Sequence, residues 1–97
     1  MMRKIRIDCA GVKSEAEVWQ RYLDAAANPE GSQHFGRNLN AFWDAIQRGG
    51  PGWPGEADLT FTNTAELASL KLADGASFLE ELRKIANDST NTRIELI

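Results

Sequence analysis

The segment from Phe35 to Ile46 constrains the fold of this chain more than any other stretch. Gly36 tolerates backbone angles that other residues avoid, and the side chain of Asn38 can accept a hydrogen bond from a free N–H group of a first helical turn. A helix is therefore expected to begin at about Leu39. Apolar residues then recur at helical spacing and form one stripe that faces a core: Leu39, Phe42, Trp43 and Ile46. The remaining face is polar, so a functional site can lie there.

Three short segments alternate apolar with polar side chains, the period-two pattern typical of a half-buried β-strand. They are Lys4–Cys9, Ala57–Thr62 and Thr92–Ile97. The stretches between them carry helical patterns, and strands joined by helical crossovers are most simply parallel. The sequence therefore predicts an α/β fold in the order β-α-α-β-α-α-β, with a three-stranded parallel sheet packed with helices.

The first helix is predicted from a capping box. Ser14 stands three residues before Glu17, so each side chain can satisfy a free backbone donor of the first turn. The helix is expected from about Glu15 to Ala27. Its inward residues are expected to be Ala16, Trp19, Leu23 and Ala26 or Ala27.

Two further helices are predicted after the second strand. Asn63 or Thr64 can cap a short third helix that ends at about Leu72. A fourth helix is marked by apolar residues at helical spacing: Phe78, Leu79, Leu82 and Ile85 or Ala86.

The segment Arg48–Gly55 is predicted to be a loop, because two of its eight residues are proline and four are glycine. It contains Trp53. The sequence leaves two options for this side chain, one folded back on the core and one exposed for contact.

Length and charge narrow the classes of function. Ninety-seven residues suit one domain, 1–97, and 42% hydrophobic with 26% charged residues is ordinary for a folded protein. The net charge of -3 argues against direct binding of nucleic acid, which depends on clustered Lys and Arg. A basic protein partner is the more natural one, and the protein is expected to be a monomer.

Cysteine and histidine usage gives no sign of catalysis. Cys9 is the only cysteine, so no disulfide framework is expected, and the chain start lacks the pattern of a signal peptide. We expect a cytoplasmic protein that has no membrane-spanning run. One Cys and one His far apart do not make a metal site, and nothing activates Cys9 for a set with His34 and Asp44. We therefore expect no metal, no cofactor and no enzyme activity.

The segment FGRNLNAFWDAI closely resembles the signature of the barstar family of ribonuclease inhibitors. In that signature an aromatic residue and Gly precede x-Asn-Leu-x-Ala, followed by an aromatic residue or Leu, then Trp-Asp-Ala and Leu or Ile. Most positions of the window fit. The resemblance implies the same three-stranded parallel fold and an intracellular inhibitor that occludes the active site of a small cationic ribonuclease.

The resemblance also implies a role for Asp44. A ribonuclease holds a phosphodiester with basic groups, and a carboxylate on a rigid helix can take the phosphate position. In the family, the position of Asp44 is the central acidic contact to the nuclease. The alternative is a solvated Asp44 that pairs with Arg48 one turn later.

The chain departs from the family pattern at several positions. Asn40 stands where the family usually has a second Asp, and Lys84 aligns with a further acidic contact, which Glu80 or Glu81 can replace. His34 stands where an aromatic residue is common. The loop at 48–55 is longer and richer in glycine than the resemblance implies.

The predicted partner-binding surface comprises the exposed face of the signature helix and its two flanking segments. Its residues are His34, Phe35, Gly36, Asn38, Asn40, Ala41, Trp43, Asp44, Gln47, Arg48 and Trp53. Trp43 is either a core residue or an aromatic contact beside the acid. His34 either lines the surface or is an exposed loop side chain. The alternative function is an immunity or adaptor module that binds a protein other than a ribonuclease, because fold does not fix function.

Overall fold

Three parallel strands form one sheet in the computed structural model, which describes residues 2–29 and 31–97. The strands are β1 (Arg3–Asp8), β2 (Ala57–Thr62) and β3 (Arg93–Leu96), in the spatial order β1-β2-β3. The register aligns Ile5 with Leu59 and Leu59 with Ile94. These apolar residues are buried, whereas their charged neighbours along β1 and β3 are exposed. The predicted α/β class and parallel sheet are confirmed.

Three α-helices accompany the sheet: α1 (Glu15–Ala25), α2 (Leu39–Arg48) and α3 (Phe78–Asp88). Each begins at a polar cap. The Ser14 hydroxyl accepts a hydrogen bond from the Glu17 N–H at 3.3 Å, and the Asn38 side chain accepts one from Ala41 N–H at 2.7 Å. Ser77 caps α3 in the same way. No helix within residues 2–29 and 31–97 is both long enough and apolar enough to cross a membrane.

A cluster of aromatic rings fixes α2 against the rest of the fold. The ring of Phe42 lies 5.0 Å from Trp19, 5.3 Å from Tyr22 and 6.0 Å from Phe61, measured between centroids. All four side chains are fully buried. Phe42 thus connects α2 to both α1 and β2, and the helix cannot rotate without breaking these contacts.

The buried face of α1 differs from the prediction. Trp19, Leu23 and Ala26 are buried as expected, but Ala16 is exposed, and Val18 and Tyr22 join the core. The helix also ends two residues early, at Ala25. The physical reason is that Val18 and Tyr22 bury larger apolar side chains than Ala16 does, so the helix turns them toward the core.

The predicted third helix is a single 3-10 turn, Thr64–Leu67. Asn63 does not cap it: its backbone is left-handed, with φ 56°, and its side chain donates to Asp8 Oδ1 at 2.8 Å. The chain then reverses, since Lys71 pairs with Ser77 in an antiparallel bridge. A second 3-10 turn, Ser32–His34, precedes α2. Within the described residues, the order of elements therefore contains three α-helices where four were expected.

Candidate protein-binding site

The outer face of α2 is presented by a helix whose other side is locked into the core. Phe42, Ala45 and Ile46 are buried, whereas Asn40 and Arg48 are exposed. Other side chains on and beside this face are partly exposed: Leu39, Ala41, Trp43 and Asp44. A surface fixed in this way loses little conformational freedom when a partner binds.

Gly36 has a different role from the one expected. Its backbone is not left-handed; the left-handed residue is Arg37, with φ 52°. A Cβ atom at position 36 would lie 3.1 Å from the Cβ of Ala41, closer than ordinary van der Waals contact. Gly36 therefore suits this position, because the chain passes close to the first turn of α2.

The carboxylate of Asp44 lies against Gly50. A Cβ atom at position 50 would collide with Asp44 Oδ2, so the space that the carboxylate occupies exists because this residue is glycine. Backbone hydrogen bonds hold the loop beside Asp44. The N–H of Gly49 donates to the carbonyl of Ala45 at 3.1 Å, and the N–H of Gly50 donates to the carbonyl of Asp44 at 3.3 Å. The C-terminal loop of α2 thus sets the position of the acid.

Asp44 does not pair with Arg48. The ion pairs within residues 2–29 and 31–97 join Glu80 to Arg83, Glu81 to Lys84 and Arg93 to Glu95. A partly exposed carboxylate in this position is available to a cationic group of a partner.

A groove of about 680 Å³ runs between α2, the turn at 72–76 and α3. Partly exposed apolar side chains contribute to its lining: Leu39, Trp43, Leu72 and Ile85. Four carboxylates and one ammonium group also line it: Glu15, Asp74, Glu81, Asp88 and Lys84. Trp43 is therefore neither fully core nor fully exposed, and it joins the outer face of α2 to an acidic groove.

Asn40 and Lys84 line this same groove from opposite helices. Lys84 Nζ lies 3.1 Å from Glu81 Oε1. Glu80 is instead paired with Arg83 at 2.7 Å and is not among the groove residues. Of the two candidates for the missing acid, Glu81 is the one on the groove.

The residues before α2 divide into one exposed and one buried side chain. His34 is exposed at the end of its 3-10 turn. Phe35 is only 5% exposed, and its ring lies 5.8 Å from both Trp19 and Tyr22. This corrects the prediction of Phe35 as a contact residue: the ring supports the surface from below.

The side-chain amide of Gln47, predicted as a partner-binding residue, is partly exposed and makes hydrogen bonds within the molecule. Its Nε2 donates to Thr90 Oγ1 at 2.8 Å, and its Oε1 accepts from Thr90 N–H at 3.0 Å. Asn91 Nδ2 donates to the Gln47 carbonyl at 2.7 Å. Gln47 therefore fastens the turn between α3 and β3 to the end of α2.

Trp53 takes the exposed option. Its side chain is 46% exposed and borders a shallow depression of about 400 Å³ with Gln47, Arg48 and Glu56. The indole therefore extends the outer face of α2 at its C-terminal end. Sequence patterns missed Gly50, Asp74 and Asp88 as parts of this surface, because their nearness to α2 arises from loops and from the packing of α3.

Cys9 is fully buried at the end of β1. Burial, together with the negative charge of Asp8, raises the pKa of its thiol to about 11, so the thiol is protonated at neutral pH. A protonated thiol is a poor nucleophile. Cys9 acts here as a small apolar core residue.

Comparison with known families agrees with this geometry. The family model described as Barstar (barnase inhibitor) matches residues 2–97, essentially the whole chain. No protein among those with curated descriptions matches the chain. The family match covers the sheet, all three helices and the complete outer face of α2. The protein therefore belongs to the barstar family.

Proposed function

We propose that this protein inhibits a small cationic ribonuclease by covering its active site with the outer face of α2. Membership of the barstar family supports an inhibitor role of this kind. The single observation that carries the proposal is Asp44: a partly exposed carboxylate, not paired with Arg48, on a helix fixed by the core.

Inhibition follows from the chemistry of the target. A ribonuclease cleft gathers Arg, Lys and His around the phosphodiester, and the Asp44 carboxylate can take the place of one phosphate oxygen pair. A bidentate contact between this carboxylate and an arginine of the enzyme places two charges at hydrogen-bond distance, away from water. The acidic groove beside Asp44 also attracts the basic enzyme before contact and so speeds association. The inhibitor catalyses nothing in this scheme. It acts as a monomer in the cytoplasm, before the enzyme can reach cellular RNA.

A competition assay tests this function. Purified protein is added to a cationic ribonuclease encoded beside it or secreted by the same or a neighbouring cell, and RNA cleavage is followed as substrate is increased. Competitive inhibition at a one-to-one ratio is expected. The Asp44→Asn variant serves as the matched control, since it keeps the shape and removes the charge. Tight binding to an unrelated protein, with no effect on any such ribonuclease, would overturn the proposal.

A second candidate function is an immunity or adaptor module that binds a protein other than a ribonuclease. The observation that favours it is the change of two expected carboxylates to Asn40 and Lys84 on the groove. Affinity purification followed by an RNA-cleavage assay of the captured partner separates the two functions. A partner that lacks ribonuclease activity favours the module.

A further inference from the structure

The glycine-rich loop after α2 is attached to the core by a buried tyrosine. Tyr22 Oη donates a hydrogen bond to the carbonyl of Gly52 at 2.7 Å, across 30 positions of sequence. The tyrosine side chain is fully buried, and burial raises the pKa of its hydroxyl well above the usual value. The hydroxyl therefore stays protonated, and it remains a donor to the loop under all physiological conditions.

Close packing holds the loop as well. A Cβ atom at Gly52 would lie 2.8 Å from Cδ1 of Phe35, and the backbone of Gly52 is left-handed, with φ 88°. A Cβ atom at Gly31 would lie 3.3 Å from Cα of Pro51. The loop is thus pressed against the segment that precedes α2, and glycine is required at position 52 for two reasons.

Arg3 fixes the end of the loop. Its Nη1 donates to the carbonyl of Pro54 at 3.2 Å. Gly52 and Pro54 are both buried, whereas Trp53 between them is 46% exposed. Two buried neighbours therefore project a large apolar ring outward from a fixed backbone.

This arrangement differs from that of an ordinary long loop. Glycine-rich loops usually sample many conformations, and a contact residue on such a loop must be ordered when it binds. Here the backbone on both sides of the indole has side-chain partners, the buried Tyr22 at Gly52 and the exposed Arg3 at Pro54. The ring also borders the depression that contains Arg48, so it continues the surface that presents Asp44.

We propose that the loop 49–55 is a preformed second contact of the inhibitory surface, with Trp53 as its anchor and Tyr22 as the positioning residue that holds it. The occupant is an apolar patch on the rim of the ribonuclease cleft, because a half-exposed indole on a fixed backbone is the typical form of an aromatic hot spot. This inference rests on the proposed function. It adds a specificity contact that is independent of the charge on Asp44.

A double-mutant cycle tests the coupling. Tyr22→Phe keeps the buried ring and removes only the donor, and Trp53→Ala removes the anchor. Each variant alone is expected to bind the ribonuclease about tenfold more weakly, since each tenfold loss corresponds to about 1.4 kcal/mol. In the Trp53→Ala background, Tyr22→Phe is expected to change affinity by less than about twofold, because the two residues act through one contact.

Thr64→Val is the matched control for loss of a buried hydroxyl. Thr64 Oγ1 donates to the carbonyl of Ile97 at 2.9 Å, beyond the C-terminal end of β2, whereas the loop precedes β2, so its loss affects the fold without touching the loop. Its effect on affinity is expected to be the same with and without Trp53. Gly52→Ala is a second way of displacing the loop, through the collision with Phe35, and is expected to behave as Tyr22→Phe does.

Fluorine NMR provides a readout without any partner. Protein labelled with 5-fluorotryptophan gives one signal for each of its three tryptophans. In Tyr22→Phe the signal of Trp53 is expected to shift and to narrow, while the signal of buried Trp19 stays in place. An unchanged Trp53 signal would overturn the positioning role of Tyr22. The role would also be wrong if the fold-losses of affinity from Tyr22→Phe and Trp53→Ala multiply in the double variant, because independent contacts behave in that way.

The outcomes separate this inference from the proposed function. If the wild type inhibits the ribonuclease and Trp53→Ala inhibits it equally well, the loop contact is wrong and the function stands. If the wild type binds no ribonuclease, the function is wrong and the loop contact falls with it.

Discussion

Asp44 is the residue on which the proposed interface depends most. Asp44→Ala is expected to weaken the complex by about 2 to 5 kcal/mol, more than any other single change on the exposed face of α2, because a basic pocket of the partner is left unpaired. The size of this range follows the charge contacts of the barnase–barstar complex, the reference pair of the family. Titration calorimetry measures the loss.

Asp24→Ala provides the control for Asp44→Ala, since Asp24 is an exposed carboxylate on α1. It is expected to leave affinity unchanged. A loss below about 1 kcal/mol for Asp44→Ala, with an unchanged circular dichroism spectrum, would mean that Asp44 is an ordinary solvated residue.

Gly50 determines where the Asp44 carboxylate lies. Gly50→Ala is expected to displace the carboxylate and to reduce affinity about tenfold or more, since a shift of about 1 Å in a charged contact is sufficient for such a loss. The fold is expected to persist, because the backbone of Gly50 is not in the left-handed region. Calorimetry of Gly50→Ala in the Asp44→Ala background checks the mechanism: there, the glycine change is expected to have no further effect. An equal loss in both backgrounds would show that Gly50 acts on the loop alone.

At the level of elements, α2 and α3 share the groove that carries the specificity prediction. Asn40 and Lys84 each replace a carboxylate of the family pattern, so a nuclease whose cleft expects those charges keeps unpaired basic groups. We therefore expect poor inhibition of the family's standard target and good inhibition of a cognate enzyme whose cleft has a less basic rim. The double change Asn40→Asp with Lys84→Glu is expected to raise affinity for the standard target about tenfold or more and to make association more sensitive to salt.

Inhibition of both nucleases at low and moderate salt measures this change of specificity. Arg83→Glu is the control, because it makes the same change of charge on α3 outside the groove. If the wild type already inhibits the standard target fully, or if the double variant gains nothing, then Glu81 or another groove carboxylate supplies the charge.

For the whole molecule, Asp8 connects the end of β1 to the start of the second crossover. Its carboxylate accepts hydrogen bonds from Asn63 Nδ2 at 2.8 Å and from Ala10 N–H at 2.9 Å, and these bonds, the Asn63 one first, lower its pKa from the ordinary value of 3.8. A depressed pKa means that the folded state binds the proton less readily than the unfolded state does. The stabilisation is therefore present above about pH 3.8 and is lost as the pH falls through the lower folded-state pKa.

Urea unfolding across the acid range checks this dependence. Wild type is expected to be more stable than Asp8→Asn at neutral pH, and the difference is expected to disappear at the acid end of the range. A difference that is constant with pH would mean that the carboxylate charge contributes nothing.

The sequence by itself determined the features that depend on neighbouring residues. Strand alternation predicted β2 with its observed bounds, and the Ser14 hydroxyl and the Asn38 side chain accept the predicted cap hydrogen bonds, because each bond joins groups no more than three residues apart. The reciprocal bond to the Glu17 carboxylate does not form among the described residues. The signature of α2 likewise predicted the family, which the family model matching residues 2–97 confirms.

Only the tertiary structure decided the contacts that join distant segments. Phe35 turned inward because Trp19 and Tyr22 provide an aromatic site for it, and Gln47 was taken by a turn more than 40 residues away. Trp53 faces outward because Tyr22 and Phe35 hold Gly52 beside it. Periodicity and capping describe only residues within a turn or two along the chain, whereas these positions depend on which buried groups meet when helices, loops and sheet pack together.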